Sequence, residues 1–410
     1  MATDNDAAET RSPEGPLAIL KIFLALGLTS FGGPVAHLGY FRTEFVERRR
    51  WLSDAAYADL VALCQFLPGP ASSQAGFAIG LMRGGWAGAA AAWAGFTLPS
   101  AAVLVLFAYG ASALQDPISQ GVIGGLKILA VAVVAQAVLG MGRSLAPTGP
   151  RLVIALVAIA VHGVFSHPLA QIAVILAGAA AGLALALGQE SSPDAAAPPA
   201  VGVSRGVGLG LAGTAVGLLV LLPLLVGVGI GGQPLALFEA FYRAGALVFG
   251  GGHVVLPLLE GSVVGPGWVD PDTFLAGYGA AQAVPGPLFT FAAYLGAAAG
   301  PEPNGVAGAA IALVAIFVPG LLLVAGLLPW WERFRSVVWA RSVLAGVNAA
   351  VVGVLAAALY DPVFTAGVRD GLDFALAAAA FFALTVWKAP VWGVVLAMGV
   401  AGGAIGAAGL

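Results

Sequence analysis

The chain has 410 residues, of which 60% are hydrophobic and only 9% are charged. Soluble domains carry roughly 25% charged residues, so this composition excludes a water-soluble globular protein and predicts an all-α polytopic membrane protein. The net charge of -3 indicates no particular partner, and we expect no nucleic-acid partner. One cysteine excludes an intrachain disulfide, and the four histidines match no metal-ligand spacing, so we expect neither a metal nor a cofactor.

A polar segment divides the chain into two parts. Residues 1–15 are polar and acidic and lack the basic start of a signal peptide, which predicts a short cytoplasmic tail. Residues 189–206 are rich in Pro, Ala and Ser, as linkers are. We therefore predict a first repeat over 16–188 and a second repeat over 207–410. The second repeat would open with an extra linking helix at 207–230.

Two short motifs occur in both parts, in the same order. The first part carries SFGGPVAHLGYF from Ser30 and QFLPGPASSQ from Gln65, whereas the second carries VFGGGHVVLPLL from Val248 and QAVPGPLFTF from Gln282. We call them the Gly-Gly motif and the Pro-Gly-Pro motif. Collinear self-similarity of this kind predicts an internal repeat. The other matched positions are Trp51 with Trp268, residues 88–99 with 308–319, and Lys127 with Asn348.

The basic residues predict that the two repeats have opposite orientations in the membrane, because cytoplasmic loops are enriched in Lys and Arg. The first Gly-Gly motif is followed by Arg42 and Arg48–Arg50, whereas the matching loop of the second repeat has no basic residue. After the next long helix the pattern reverses, with Asp116 in the first repeat and three arginines within 333–341 in the second. Segments beside the motifs, such as residues 17–31, fall short of the roughly 20 residues of a span. We therefore predict inverted-topology repeats, each with two re-entrant helical hairpins plus long transmembrane helices.

A backbone turn at membrane depth is tolerated only where protein or water surrounds it. Each predicted turn leaves the N-terminal end of a returning half-helix near the midplane, where its free N–H groups and positive dipole end favour an anion. Four such turns predict an anion pocket at the centre of an alternating-access carrier. Ser72, Ser73 and Thr290 could add hydroxyl donors or bond their own backbone. The candidate substrate-binding residues of the turns are Gly32, Gly33, His37, Gln65, Gly69, Ser72, Ser73, Gly251, Gly252, His253, Gln282, Gly286 and Thr290.

Ionisable residues inside a membrane are functional candidates. Lys127 lies near mid-depth of its predicted helix as an unpaired cation, which favours a counter-charge for an anion over a structural ion pair. Its mate Asn348 could donate a hydrogen bond at the mirror position. Arg243 either lines the pocket or reaches the outer interface. If protons are coupled to transport, a histidine is the candidate, since no acidic residue lies clearly at mid-membrane.

The paired motifs FGGP with LPGP, and FGGGH with VPGP, give the chain a resemblance to the chromate ion transporter family, in its long, two-domain form. The resemblance covers nearly all of the chain beyond the tail. It implies chromate efflux across the bacterial inner membrane, with sulfate as a related divalent oxyanion. The residues alone predict only a small anion at half-helix N-termini.

Several alternatives stay open at this point. An anion channel, or a sulfate importer or exchanger, could use the same pocket. A membrane-embedded enzyme would need a catalytic or metal cluster, which the sequence does not display, so we expect a protein that is not an enzyme. The many small residues permit close helix packing within one chain or between two copies, which leaves a homodimer open.

Overall fold

A computed structural model describes residues 14–113, 116–147, 149–165, 168–187, 202–249, 252–331 and 337–409. Throughout these ranges the chain forms helices and contains no β-strand. Six of the described helices are long and apolar enough to cross a membrane. The predicted all-α polytopic membrane protein is therefore confirmed. Most of the predicted tail and most of the predicted linker lie outside the described residues.

Among its described residues, the first part of the chain contains seven helices. Its second helix continues as a π-helical segment, Thr43–Arg48. The helices are α1 Pro16–Thr29, α2 Gly33–Arg42, α3 Asp54–Phe66, α4 Ala71–Ala113, α5 Pro117–Leu145, α6 Gly149–Val164 and α7 Pro168–Ala184.

The second part contains nine longer helices among the described residues. Short helical segments precede or follow several of them, at Gly252–Val254, Leu288–Thr290, Leu328–Trp330, Leu359–Phe364 and Thr365–Gly367. The helices are α8 Arg205–Gly227, α9 Gly232–Ala246, α10 Val255–Val263, α11 Pro271–Ala283, α12 Phe291–Ala298, α13 Gly305–Leu327, α14 Val338–Ala358, α15 Gly371–Thr385 and α16 Val391–Ala408.

α4 consists of two arms joined by a sharp bend. Gly84 and Gly85 have non-helical backbone angles, and the φ of +61° at Gly85 favours glycine. The arms then approach so closely that a side chain at Gly80 would collide with the backbone of Gly88. In the second part, α12 and α13 approach each other in the same way at Gly296 and Gly308. Both parts therefore fold a short arm back against a long apolar helix.

Helix starts also correspond between the two parts. Ser53, two positions after Trp51, caps α3 by accepting a hydrogen bond from the Ala56 N–H at 3.2 Å. Asp270, two positions after Trp268, caps α11 by accepting one from the Thr273 N–H at 2.8 Å. Such oxygens satisfy N–H groups that a helix start leaves unpaired.

The helices differ in how deeply they are buried. The apolar stretch of α13 is 61% buried inside the protein, whereas that of α8 is only 11% buried. α13 therefore lies at the centre of the helix assembly, and α8 presents most of its apolar surface outward, as a lipid-facing helix does. α5 is also central and packs against α11, α15 and α16. A separate aromatic cluster beneath the first motifs includes Phe23, Phe41, Phe45, Trp51 and Phe96.

Candidate functional site

Two reciprocal backbone hydrogen bonds join the two parts at their motifs. The Gly286 N–H donates to the Ser30 carbonyl at 2.9 Å, and the Gly69 N–H donates to the Val248 carbonyl at 2.8 Å. In each case the glycine of a Pro-Gly-Pro motif bonds the first residue of the Gly-Gly motif of the other part. Gly69 and Gly286 have φ values of +120° and +103°, which favour glycine. The matched motifs thus form two equivalent crossings of the chain.

The two Gly-Gly motifs also contact each other. A Cβ placed on Gly252 would lie 3.1 Å from Cγ of Pro34, so the backbone of one motif packs against the proline ring of the other. Together with the two hydrogen bonds, this contact brings all four motifs to one junction. Gly251, a predicted site residue, lies outside the described residues.

Helices begin at this junction. α2 starts at Gly33, with Gly32 in the left-handed region as its N-cap, and α4 starts immediately after Pro70. Short 3-10 segments starting at Gly252 and Leu288 lead into α10 and α12. The first N–H groups of a helix lack intrahelical partners and carry partial positive charge. The junction therefore gathers helix starts from both parts of the chain.

A cavity of about 230 Å³ lies beside the crossing of Ser30 with Gly286 and is bordered by Gly286. We call it the central cavity. Apolar side chains, among them Val133 and Val391, form part of its wall. Its polar and glycine lining residues are Gly32, Gly33, Gln136, His253, Gln282 and Gly286.

Three polar side chains on the wall of the central cavity differ in how they are held. Nδ1 of His253 lies 2.7 Å from the Tyr278 hydroxyl, which fixes the imidazole ring. Gln136 donates through Nε2 to the Leu384 carbonyl at 3.3 Å. The amide Nε2 of Gln282 is buried and has no hydrogen-bond partner among the described residues. Buried donors are normally paired, so the Gln282 amide stands out as an unpaired donor on the wall of the cavity.

The crossing of Gly69 with Val248 is filled by protein. Gln74 donates through Nε2 to the carbonyls of Pro68 at 2.9 Å and Gly320 at 3.0 Å. A Cβ on Gly69 would lie 3.0 Å from Cα of Gly320 and 3.1 Å from the Gln74 amide nitrogen. We call this the filled crossing and the other the open crossing. Gln65, which the repeat matches to Gln282, is exposed.

His37 lies behind the open crossing rather than in its cavity. Its ring is fully buried, with Nε2 3.2 Å from the Ser30 carbonyl and Nδ1 3.4 Å from the Ser72 hydroxyl. His37 therefore braces the first turn. Ser73 is also buried, and its hydroxyl has no partner among the described residues. Thr290 donates to the Pro287 carbonyl at 2.8 Å, which is the backbone-bonding alternative for this residue.

Lys127 has a partner, so the expectation of an unpaired cation was wrong. Its Nζ lies 2.8 Å from Oδ1 of Asp272, a residue in the first turn of α11. The sequence could not show this contact because the two residues are far apart in the chain. The pair lines two further polar cavities, of about 480 and 590 Å³. Val133, where α5 reaches the central cavity, lies about 9 Å further along the helix.

Two other candidates lie outside the lining of the central cavity. Arg243 pairs with Glu239 at 2.6 Å, one turn earlier on α9. Asn348 is on α14, and its Oδ1 is buried without a hydrogen-bond partner among the described residues.

Sequence reasoning overlooked Gln136 and Gln74. Gln136 is a polar residue within an apolar span, a signal that usually marks function. Lys127, on the same helix, was chosen as the candidate instead because it is charged. Gln74 ends the quoted stretch QFLPGPASSQ, and the matching residue of QAVPGPLFTF is Phe291. That mismatch between the repeats was the available signal.

Known proteins resemble the whole chain. A family model described as Chromate transporter matches it twice, over residues 17–183 and 235–404. The chain is 30% identical to the chromate transport protein of Pseudomonas aeruginosa, over 98% of this chain and 95% of that protein. It is 28% identical to the probable chromate transport protein of Synechococcus elongatus, over 83% of each chain. It is also 28% identical to the chromate transport protein of Cupriavidus metallidurans, over 83% of this chain and 81% of that one.

No solved structure matches the chain. The relatives are named as transport proteins, in agreement with the expectation of a protein that is not an enzyme. Six apolar helices of spanning length agree with a transporter embedded in the bilayer. The chain is a multi-pass bacterial membrane protein that belongs to the chromate transporter family.

Proposed function

We propose that this protein is a secondary active transporter that exports chromate, or a related divalent oxyanion such as sulfate, across the bacterial inner membrane. The anion binds in the central cavity and crosses the membrane by alternating access. The names of three relatives, each a chromate transport protein or a probable one, support the choice of substrate.

The main support for this proposal is the Gln282 amide, which has no hydrogen-bond partner among the described residues and lines the central cavity. Several helices begin beside this cavity. At about 230 Å³ the cavity is below the roughly 300–1,000 Å³ of pockets for drug-sized ligands, which favours a compact ion. Its described lining contains no Lys or Arg. Backbone N–H groups, two glutamine amides and His253 would therefore bind the anion, as helix N-termini bind phosphate and sulfate.

We propose that the two parts are inverted repeats, over 16–188 and 207–410, and that their short arms are re-entrant hairpins. The double match to one family model, the reciprocal hydrogen bonds and the matched helix caps support a repeat. The bias of basic residues supports the inversion. In carriers of this design the substrate site lies near the midplane where the repeats meet, and in this chain the four motifs meet at the junction that borders the central cavity.

An anion channel, or a sulfate importer or exchanger, would use the same cavity. A channel conducts without exchanging one anion for another, whereas a carrier accelerates exchange of labelled for unlabelled substrate. The direction of transport follows from comparing right-side-out with everted vesicles.

The test is exchange of labelled chromate in proteoliposomes that contain the purified protein. We expect saturable exchange that sulfate inhibits. The variant Lys127→Ala, measured in parallel, tests the anion role predicted for Lys127, because exchange unchanged by this substitution would assign the Lys127–Asp272 pair to structure alone. Wild-type vesicles that move neither chromate nor sulfate would refute the proposed substrate. Conduction without exchange would replace the carrier with a channel.

A further inference from the structure

A further polar cavity, of about 350 Å³, lies at a different place in the fold. We call it the acid–histidine cavity. Its lining includes His162 of α6, Gln171 of α7, Glu260 of α10 and Asp361 of the segment after α14. The Asp361 carboxylate also accepts a hydrogen bond from the Thr365 hydroxyl at 3.1 Å. Three titratable side chains, each from a different helical element, therefore line the same cavity.

Unpartnered polar groups indicate that this cavity receives a ligand. Gln171 is only 4% exposed, lines the cavity and forms no hydrogen bond with any residue that the structure describes. Nδ1 of His162 is buried and likewise has no hydrogen-bond partner within the described part of the chain. Buried polar side chains are normally satisfied, so two unsatisfied ones beside two carboxyl groups favour a small cationic ligand.

The chemistry of the cluster favours a proton over a metal ion. Among the described residues, no group of three His, Cys, Asp or Glu side chains is arranged to hold a metal. Carboxyl groups that share a partly buried site repel each other when both are ionised, which favours retention of one proton between them. A neighbouring imidazole gives that proton a second acceptor.

One short helix connects this cavity with the central cavity. Glu260 lies on α10, and His253 lies in the Gly252–Val254 segment that leads directly into it. The two side chains are about two helical turns apart, and each lines its own cavity. A displacement of α10 on anion binding would therefore move Glu260 relative to Asp361, which is held at the end of α14.

Other charged groups near α10 are accounted for. α10 packs against α7, α9 and α14. On α9, Glu239 and Arg243 neutralise each other at 2.6 Å. On α9, Tyr242 donates its hydroxyl to the Ala215 carbonyl at 2.8 Å. The remaining titratable groups on or beside these elements are His253, which bonds Tyr278, Arg341 near the start of α14, and Tyr360 beside Asp361.

We infer that the acid–histidine cavity binds the coupling proton of transport, shared among His162, Glu260 and Asp361. The proton converts a carboxylate to a carboxylic acid, or an imidazole to an imidazolium, and no bond to another element forms or breaks. Occupation of the central cavity by the anion shifts α10 and thereby changes the affinity for this proton. This inference rests on the proposed function and adds the identity of the coupling ion.

The experiment uses Glu260→Gln and Asp361→Asn, which retain side-chain shape but remove the titrating carboxyl group. The full chain is reconstituted in vesicles that contain a pH-sensitive dye. Chromate exchange at equal pH on both sides is measured first, and proton movement driven by a chromate gradient is measured second, both at alkaline pH where chromate is the dianion. The control is Glu302→Gln, an exposed carboxyl in the loop between α12 and α13.

We expect the wild type and Glu302→Gln to move protons with chromate. In Glu260→Gln and Asp361→Asn, proton movement should fall by roughly tenfold or more, within the range of coupling between two ligands. Anion exchange should change by less than about twofold, as with most substitutions away from a binding site. Exchange close to the wild-type rate also shows that the variants fold.

Three outcomes would contradict either the proton inference alone or the proposed transport function as well. If the wild type exchanges chromate but moves no protons, the proton inference is wrong and the proposed function stands. The same holds if both variants still move protons at the wild-type rate. If the wild type exchanges no chromate, the proposed function fails, and the coupling role assigned to this cavity fails with it.

Discussion

The open and the filled crossing have the same backbone plan but different contents. In both, the glycine of a Pro-Gly-Pro motif bonds the first residue of the opposite Gly-Gly motif. Gln74 fills one crossing by bonding Pro68 and Gly320, whereas its repeat mate Phe291 packs among aromatic rings and leaves space at the other. Duplication thus preserves the turn, while single side chains decide which copy holds a cavity.

Substitution of the crossing glycines should have the largest effect. Gly286→Ala forces a non-glycine residue to a φ of +103° and places its Cβ 2.8 Å from Oγ of Ser100. Backbone strain of this kind costs about 1–3 kcal/mol, so we expect a lower unfolding temperature and strongly reduced chromate exchange. Gly69→Ala should lower the unfolding temperature similarly, because its φ is +120°. Wild-type stability in either variant would show that the crossing does not need its glycine.

The matched glutamines should differ in function. Gln282→Leu removes a buried donor from the central cavity, and a hydrogen bond to a charged group contributes about 1.5–3 kcal/mol, or about 10–150-fold in affinity. Gln65→Leu changes an exposed side chain and should have an effect within about 0.5 kcal/mol. Chromate affinity measured by calorimetry on the purified variants separates the two. Equal losses would mean that both crossings bind the anion.

Gln74→Leu tests whether the filled crossing is structural. The substitution leaves the carbonyls of Pro68 and Gly320 without this donor, and an unsatisfied buried group costs about 1–3 kcal/mol. We expect a lower unfolding temperature with unchanged chromate affinity. A marked gain or loss of affinity would show that this crossing takes part in binding.

The smallest effects are expected at the matched helix caps. Ser53→Ala and Asp270→Ala should each cost about 1 kcal/mol of stability. Burial raises the pKa of Asp270, but hydrogen bonds from Thr273 outweigh this and lower it below its usual value. A lowered pKa stabilises the fold above the unfolded-state value, and this contribution is lost as pH falls through the folded-state pKa. The deficit of Asp270→Ala should therefore begin to shrink below about pH 4 and shrink further as pH falls through the folded-state pKa, whereas that of Ser53→Ala should not change with pH. Unfolding followed between acidic and neutral pH checks both.

The sequence predicted the junction better than it predicted the side chains around it. Positive φ at Gly32, Gly33 and Gly286 follows from turns that only glycine adopts readily, so the duplicated motifs were sufficient to place them. Gln65 and Gln282 look equivalent in sequence, and only their neighbours make one exposed and the other a cavity donor. The partner of Lys127 could not be predicted, because Asp272 begins a helix in the other part of the chain.

We propose that the anion binds where the four motifs meet. Crystals of the protein grown with chromate would locate chromium by its anomalous scattering. We expect an anomalous peak in the central cavity, within hydrogen-bond reach of Gln282 and bordered by Gly33, His253 and Gly286. A peak beside the Lys127–Asp272 pair, with none in the central cavity, would contradict it.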